Sequence, residues 1–284
     1  MPDDLPDDVP APSSLDSFVA LGDSFTEGLH DELGPDGRHR GWADRVADGL
    51  ATANGRVRYA NLAIRGRLLD QVVAEQVPVA LALKPALVSF NAGGNDALRP
   101  RADLDRLFSV YEQTVARLRE NGSQVLLFTT IGPPRAPGDQ VARGTARLIG
   151  RFTAYNDCVR RVAAAHDCVL ADIGSAPALR DRRLWHEDRL HLTPEGHARV
   201  AAAALEALGL DGARLLADDS PTGWWREPLP ARVAAGRLTD LAGDLRWAQT
   251  FLLPWIGRRL RGVSSGDSLL PKRPELIEIT AARP

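Results

Sequence analysis

The chain has 284 residues, of which 44% are hydrophobic and 25% are charged, a balance typical of soluble globular proteins. This length suits one α/β domain with an appendage. The formal net charge of −2 creates no overall field that would attract nucleic acid, so we expect no nucleic-acid partner.

Residues 1–15 are acidic and rich in proline, and they lack the basic and apolar stretches of a secretory signal. We expect a short disordered leader here and a cytoplasmic protein. The sequence has no apolar run near the roughly 18 residues of a membrane span. Cys158 and Cys168 are too few for a disulfide framework, which predicts buried free thiols, although export would leave a single bridge open.

Five short apolar runs alternate with helical patterns between residues 17 and 208. Such nearly continuous apolar runs are typical of strands buried on both faces of a parallel sheet. The predicted strands are Ser17–Leu21, Val57–Leu62, Ala86–Asn91, Gln124–Thr130 and Cys168–Asp172. The predicted helices are Gly41–Ala53, Arg67–Ala82, Leu104–Glu120, Thr145–His166 and Pro194–Leu208. The alternation predicts an α/β fold made of βαβ units.

Residues able to do chemistry follow the predicted strands. Gly22–Ser24 follows the first strand, Gly66 follows the second and Asn95 follows the third. Asp188 and His191 lie in the long loop after the fifth. Because ligands of open parallel sheets bind beyond the carboxyl ends of the strands, we expect all of these residues at one rim.

Ser24, His191 and Asp188 form a candidate catalytic set. A serine hydroxyl is a poor nucleophile until a base takes its proton, and histidine suits that task near neutral pH. A carboxylate three residues before His191 can hold the imidazole in the required tautomer. Taken singly, Ser24 could instead cap a helix, and His191 could be a solvated loop residue. The nearby histidines match no zinc signature, so we expect no metal.

The string Gly266-Asp267-Ser268 repeats the Gly-Asp-Ser sequence of the first strand end, and Leu269 follows it. No predicted strand precedes it, and nothing after it supplies a base. We interpret it as a chance match, because structural context and not the string identifies a nucleophile.

Ester cleavage places negative charge on the former carbonyl oxygen, which requires preorganised hydrogen-bond donors. The candidates are the backbone N–H groups of Ser24 and Gly66 and the side-chain amide of Asn95. Alternatively, Gly66 could belong to an ordinary strand-to-helix turn and Asn95 to a helix cap.

Together these motifs resemble the SGNH (GDSL-type) hydrolase family over residues 16–210. The motifs are Gly22–Ser24 with Glu27–Gly28, Asn61–Gly66, Gly93–Asp96 and Asp188–His191. The resemblance implies a three-layer α/β/α, flavodoxin-like fold with a five-stranded parallel sheet. It also implies an acyl-enzyme mechanism that uses neither a metal nor a cofactor.

The predicted function is therefore a serine hydrolase that cleaves small-molecule carboxylic esters, short acyl or acetyl esters above all. Alternatives are an acyltransferase with the same triad and a non-catalytic, flavodoxin-like binding module. Asp23, Arg65 and Arg135 are candidate substrate-binding residues, although for the arginines the favoured interpretation is that they are solvated surface residues.

Residues 211–284 form a predicted C-terminal extension with four of the six tryptophans. Its apolar residues recur at three- and four-residue steps between Leu238 and Trp255, which predicts an amphipathic helix. We expect this helix to pack on the hydrolase or to form a homodimer. A membrane surface stays open as a partner of the helix, as does another protein.

Overall fold

The computed structural model of the chain describes residues 15–132, 143–216, 221–230, 246–254, 257 and 264–281. The predicted leader up to residue 14 and Arg135 lie outside the described residues, as does half of the predicted amphipathic helix. Within the described part, no helix is long and apolar enough to cross a membrane.

A six-stranded sheet forms the centre of the protein. Its strands are β1 (Ser17–Gly22), β2 (Arg56–Asn61), β3 (Leu87–Asn91), β4 (Gln124–Phe128), β5 (Val169–Ala171) and β6 (Arg273–Thr280). Their order across the sheet is β5-β4-β3-β1-β2-β6. The first five are parallel, which confirms the predicted α/β fold, whereas β6 pairs antiparallel with β2 and was not predicted.

Helices cover both faces of the sheet. They are α1 (Ser24–Glu27), α2 (Gly41–Asn54), α3 (Leu69–Glu75), α4 (Val77–Leu83), α5 (Gly94–Ala97), α6 (Leu104–Glu120), α7 (Arg143–Ala165), α8 (Pro194–Ala207) and α9 (Gly212–Leu215). Core residues of α2 and α8 pack on one face, and those of α3, α4, α6 and α7 pack on the other. These are the three layers that the sequence predicts.

The strand β1 shows why the apolar runs become central strands. Phe18 and Ala20 point into one core cluster, while Val19 and Leu21 point into the other, and none of them is exposed. A strand at this position needs apolar residues at every position because both of its faces are buried. Full burial of one large apolar side chain contributes about 1.5–3 kcal/mol.

The predicted helix Arg67–Ala82 is wrong as a single element, because the structure divides it into α3 and α4. Pro78 stands in the first turn of α4, where its missing N–H does no harm, but it could not donate within a continuous helix. The predicted β4 also extends two residues too far at its C-terminal end, and the predicted β5 is one residue too long at each end. Both cysteines are free as expected, but Cys168 is only half-buried.

The strand β6 brings the C-terminus back to the sheet across more than 200 residues of chain. It pairs with β2 from Arg56 opposite Thr280 to Asn61 opposite Arg273. Pro274 is tolerated because β6 is an edge strand with one side free of ladder bonds. The start of β6 therefore lies beside the carboxyl end of β2, and its last residues lie beside the amino end.

Candidate active site

The turn after β1 presents Ser24 at the carboxyl rim of the sheet. Asp23 starts the single turn of α1 by accepting a hydrogen bond from the Phe25 N–H at 3.2 Å. Gly22 lies directly before it with a φ of 153°, and its backbone N–H and C=O both bond the buried Gln76 side chain at 2.9 Å. Hydrogen bonds thus fix the backbone both before and after Ser24, the candidate nucleophile.

Ser24, His191 and Asp188 meet at this rim. The Ser24 Oγ lies 2.9 Å from His191 Nε2, and His191 Nδ1 lies 2.6 Å from Asp188 Oδ2. The second carboxylate oxygen, Oδ1, accepts the backbone N–H groups of Leu190 at 3.0 Å and His191 at 3.1 Å. This chain of hydrogen bonds leaves His191 Nε2 able to accept the serine proton.

Asp188 is set up to remain charged. Burial would by itself raise the pKa of this carboxyl, but the hydrogen bond and charge of His191 and the two backbone N–H donors hold the pKa well below its usual range. A charged carboxylate can hold the imidazole and stabilise an imidazolium that forms during attack.

His30 is a neighbour of the site that sequence reasoning missed. Its Nε2 lies 3.2 Å from Asp188 Oδ2, and its ring stacks on His186 with centroids 3.7 Å apart. Burial, together with the nearby His186, lowers the pKa of His30 to about 4, so that its ring is neutral at pH 7. Its φ of 69° places it in the tight turn after α1, a position that composition does not reveal.

Three ligand atoms at this place lie close enough to hold a metal ion. They belong to His30, Asp188 and His191, and all lie within 4.8 Å of one another. A metal there would compete for the two atoms that join His191 to Asp188, because a ligating Nδ1 must give up its proton. These three side chains could therefore support a serine nucleophile or bind a metal ion, but not both at once.

Two backbone N–H groups near the Ser24 side chain are candidate donors to an oxyanion. Among the described residues, no acceptor is found for the backbone N–H of either Ser24 or Gly66. Gly66 has a φ of 78°, the left-handed region in which glycine is not strained. Gly66 also lines the cavity that contains Ser24, which makes its N–H a candidate oxyanion donor.

Asn95 is brought to the same rim, but its amide has protein partners. The Nδ2 group donates to Asp23 Oδ2 at 2.9 Å and to the Arg67 carbonyl at 3.1 Å. An oxyanion would have to share or replace one of these acceptors. Burial raises the pKa of Asp23 to about 6, so its carboxylate is still mostly charged at pH 7 and competes for the amide.

The predicted substrate-binding residues differ in their surroundings. Asp23 is 8% exposed and serves the protein's own hydrogen bonds. Arg65 lies on the cavity wall, but its guanidinium pairs with Glu27, whose Oε2 also accepts the Arg65 backbone N–H at 2.8 Å.

A cavity of about 350 Å³ opens over Ser24 and His191. Its wall is mainly apolar and draws on loops from both halves of the described chain. The apolar lining includes Phe25, Leu29, Leu98, Ile131, Leu148, Phe152, Trp185, Leu190 and Phe251. Such a cavity suits an apolar group beside a small number of polar atoms.

Residues 20–199 match the GDSL-like lipase/acylhydrolase family. No curated protein matches the sequence. The solved structure of TesA is 24% identical, with a TM-score of 0.55 over 68% of this chain and 97% of TesA. The acetylxylan esterase Axe2 from Geobacillus stearothermophilus is 20% identical, with a TM-score of 0.56 over 69% of this chain and 95% of Axe2. LAE5, an alpha/beta hydrolase enzyme from the metagenome of Lake Arreo, Spain, is 24% identical, with a TM-score of 0.53 over 68% of this chain and 95% of LAE5.

Proposed function

The chain belongs to the GDSL-like lipase/acylhydrolase family and is a carboxylic ester hydrolase, and we propose that it works through an acyl-enzyme formed on Ser24. This membership removes the alternative of a non-catalytic binding module. The observation that carries the proposal is the 2.9 Å contact from Ser24 Oγ to His191 Nε2, continued by the 2.6 Å contact from His191 Nδ1 to Asp188.

In the first half-reaction, His191 takes the proton of Ser24 while Oγ attacks the ester carbonyl carbon. The backbone N–H groups of Ser24 and Gly66 stabilise the oxyanion, and Asn95 adds its amide when the substrate oxygen replaces one of the present acceptors. His191 then protonates the leaving alcohol, and the acyl group stays on Ser24.

In the second half-reaction, His191 takes a proton from water, which attacks the acyl carbonyl. Collapse of the second tetrahedral intermediate releases the acid and returns the proton to Ser24. Transfer to an alcohol in place of water would use the same residues. We propose short acyl esters as the substrates, since a cavity of about 350 Å³ is at the small end of the range for ligand sites.

A direct test combines turnover with covalent labelling. The wild-type protein should hydrolyse p-nitrophenyl acetate or butyrate and react with a fluorophosphonate at Ser24, as mapped by peptide mass spectrometry. Ser24→Ala should remove both signals. A label on another serine, with turnover retained in Ser24→Ala, would reject the mechanism.

A further inference from the structure

We infer that the C-terminal segment, meaning the described residues 246–254 and 264–281, contributes individual residues to the active site and through them sets the length of acyl chain that fits. The inference rests on the proposed function and concerns residues outside the family match, which ends at residue 199. Three separate contacts connect this segment to the reacting groups.

The first contact is with the loop that carries Asp188. The indole Nε1 of Trp247 donates to the Asp188 backbone carbonyl at 3.0 Å. The guanidinium carbon of Arg189 lies 4.7 Å from the centre of the Trp247 ring, a cation–π distance. Trp247 thus contacts the loop at two consecutive residues, Asp188 and Arg189, and restrains it.

The second contact supplies a wall of the cavity. Phe251 is half-buried and lines the cavity that contains Ser24 and His191. Its ring meets His186 edge-on, with centroids 6.4 Å apart. Among the described residues, the other apolar lining comes from the hydrolase fold, so Phe251 is the apolar side chain by which the described C-terminal segment limits the space for an acyl chain.

The third contact is with the Gly66 turn. Ser264 Oγ donates to the Arg65 carbonyl at 3.4 Å, and Asp267 pairs with Arg67 at 3.3 Å. Gly266 is buried, and a Cβ at this position would collide with the Arg65 carbonyl oxygen. The segment therefore packs against the turn that presents the Gly66 N–H at van der Waals distance and braces it.

Lys272 anchors the segment beside these contacts. Its ammonium is buried and donates to the carbonyls of Glu27 at 2.7 Å, His39 at 2.9 Å and Arg40 at 2.8 Å, and to the Asp44 carboxylate. Loss of one partner of a buried charge pair is strongly destabilising. Together with β6, this anchor holds the segment against the rim.

The wall is tested with Phe251→Ala and with Leu253→Ala as the matched control, since Leu253 lies two residues away and is 59% exposed. Both variants are assayed on p-nitrophenyl esters from acetate to decanoate. In Phe251→Ala the ratio of kcat/KM for octanoate to that for acetate should rise about tenfold, because the pocket gains volume for methylene groups. A ratio within about twofold of the wild type overturns the inference about Phe251.

The brace is tested with Gly266→Ala, and Leu270→Ala is the control because Leu270 is 88% exposed. Displacement of the Gly66 turn should lower kcat about tenfold and leave KM within about twofold, since the donor acts mainly on the transition state. Asp267→Asn is the milder second variant if Gly266→Ala does not fold. Unchanged kcat in a folded variant overturns the bracing role.

Two measurements on the wild type keep this inference apart from the proposed function. Absence of ester turnover and of fluorophosphonate labelling at Ser24 would reject the mechanism itself. Turnover and labelling in the wild type, with identical profiles in Phe251→Ala and Gly266→Ala, would reject only the role of the C-terminal segment.

Discussion

The string Gly-Asp-Ser occurs at residues 22–24 and again at residues 266–268, and the two copies have different surroundings. The first follows a strand buried on both faces, and its serine lies 2.9 Å from an imidazole nitrogen. The second stands in a turn before an edge strand, and its Ser268 is exposed. Whether a serine is placed to react thus depends more on the strand end that carries it than on the residues next to it in the sequence.

The two copies nevertheless meet at the same turn. Asp23 accepts from Asn95, whose amide also donates to Arg67, and Arg67 pairs with Asp267 of the second copy. The first copy is expected to do the chemistry, and the second to support it. Paired substitutions in the two copies test this division of roles.

The largest expected difference is between the two serines. Ser24→Ala should lower kcat/KM for p-nitrophenyl butyrate by at least about 10³-fold, because it removes the nucleophile. Ser268→Ala should keep the wild-type value within about twofold, since that side chain is exposed. A large loss in Ser268→Ala alone would reverse the assignment of the two strings.

A smaller loss is expected when the amide near the first string is removed. Asn95→Ala should lower kcat by about 10²–10³-fold through loss of an oxyanion donor. Asn54→Ala removes an exposed amide at the end of α2 and serves as the control. If the two variants had equal kcat, Asn95 would serve only to connect Asp23 with Arg67.

The two aspartates should differ in how much they contribute to activity. Asp23→Asn should lower kcat about tenfold, because Asn95 loses a carboxylate that orients it, whereas Asp267→Asn should cost less. The measurement is kcat at saturating ester for both purified variants. A greater loss in Asp267→Asn would make the second string the more important support.

Asp23 also makes a distinct prediction about stability. Its pKa is raised from 3.8 to about 6 by burial, so the folded protein binds the proton more tightly than the unfolded chain. This contribution is present below about pH 4 and is lost as pH rises through 6, a change of about 3 kcal/mol. Between pH 4 and 7.5, the free energy of unfolding measured in urea should show this loss in the wild type but not in Asp23→Asn. Parallel curves would contradict the prediction.

The smallest effect on activity is expected at His197, which supports the loop after the first string. Its Nε2–H donates to the Leu29 carbonyl at 3.1 Å, and burial lowers its pKa from 6.5 to about 4. Its contribution to stability is therefore present above pH 6.5 and is lost as pH falls towards 4, by about 3 kcal/mol. In His197→Gln the free energy of unfolding should change less over this pH range than in the wild type. The kcat of this variant should stay within about twofold of the wild-type value. An unaltered pH dependence would show that another group is responsible.

Much of the fold could be predicted because its signals are local. Apolar runs such as Ser17–Leu21 need burial on both faces, and helix α6 matches the prediction at both ends, with Asp103 as its cap. Pro78 was the local signal that should have divided the predicted helix Arg67–Ala82. The strand β6 lacked such a signal, because its exposed edge position requires no regular apolar pattern.

The amino-acid sequence is enough to place Ser24, Gly66, Asn95, Asp188 and His191 after strands of one parallel sheet, since chain direction and burial are encoded in short stretches. Which residues cover them depends on tertiary packing. His30, Gln76, Trp247 and Phe251 reach the site through packing between distant segments, and no local pattern specifies such contacts. The free edge of β2 decided where the C-terminus returns, because an unpaired row of backbone groups accepts a strand of almost any sequence.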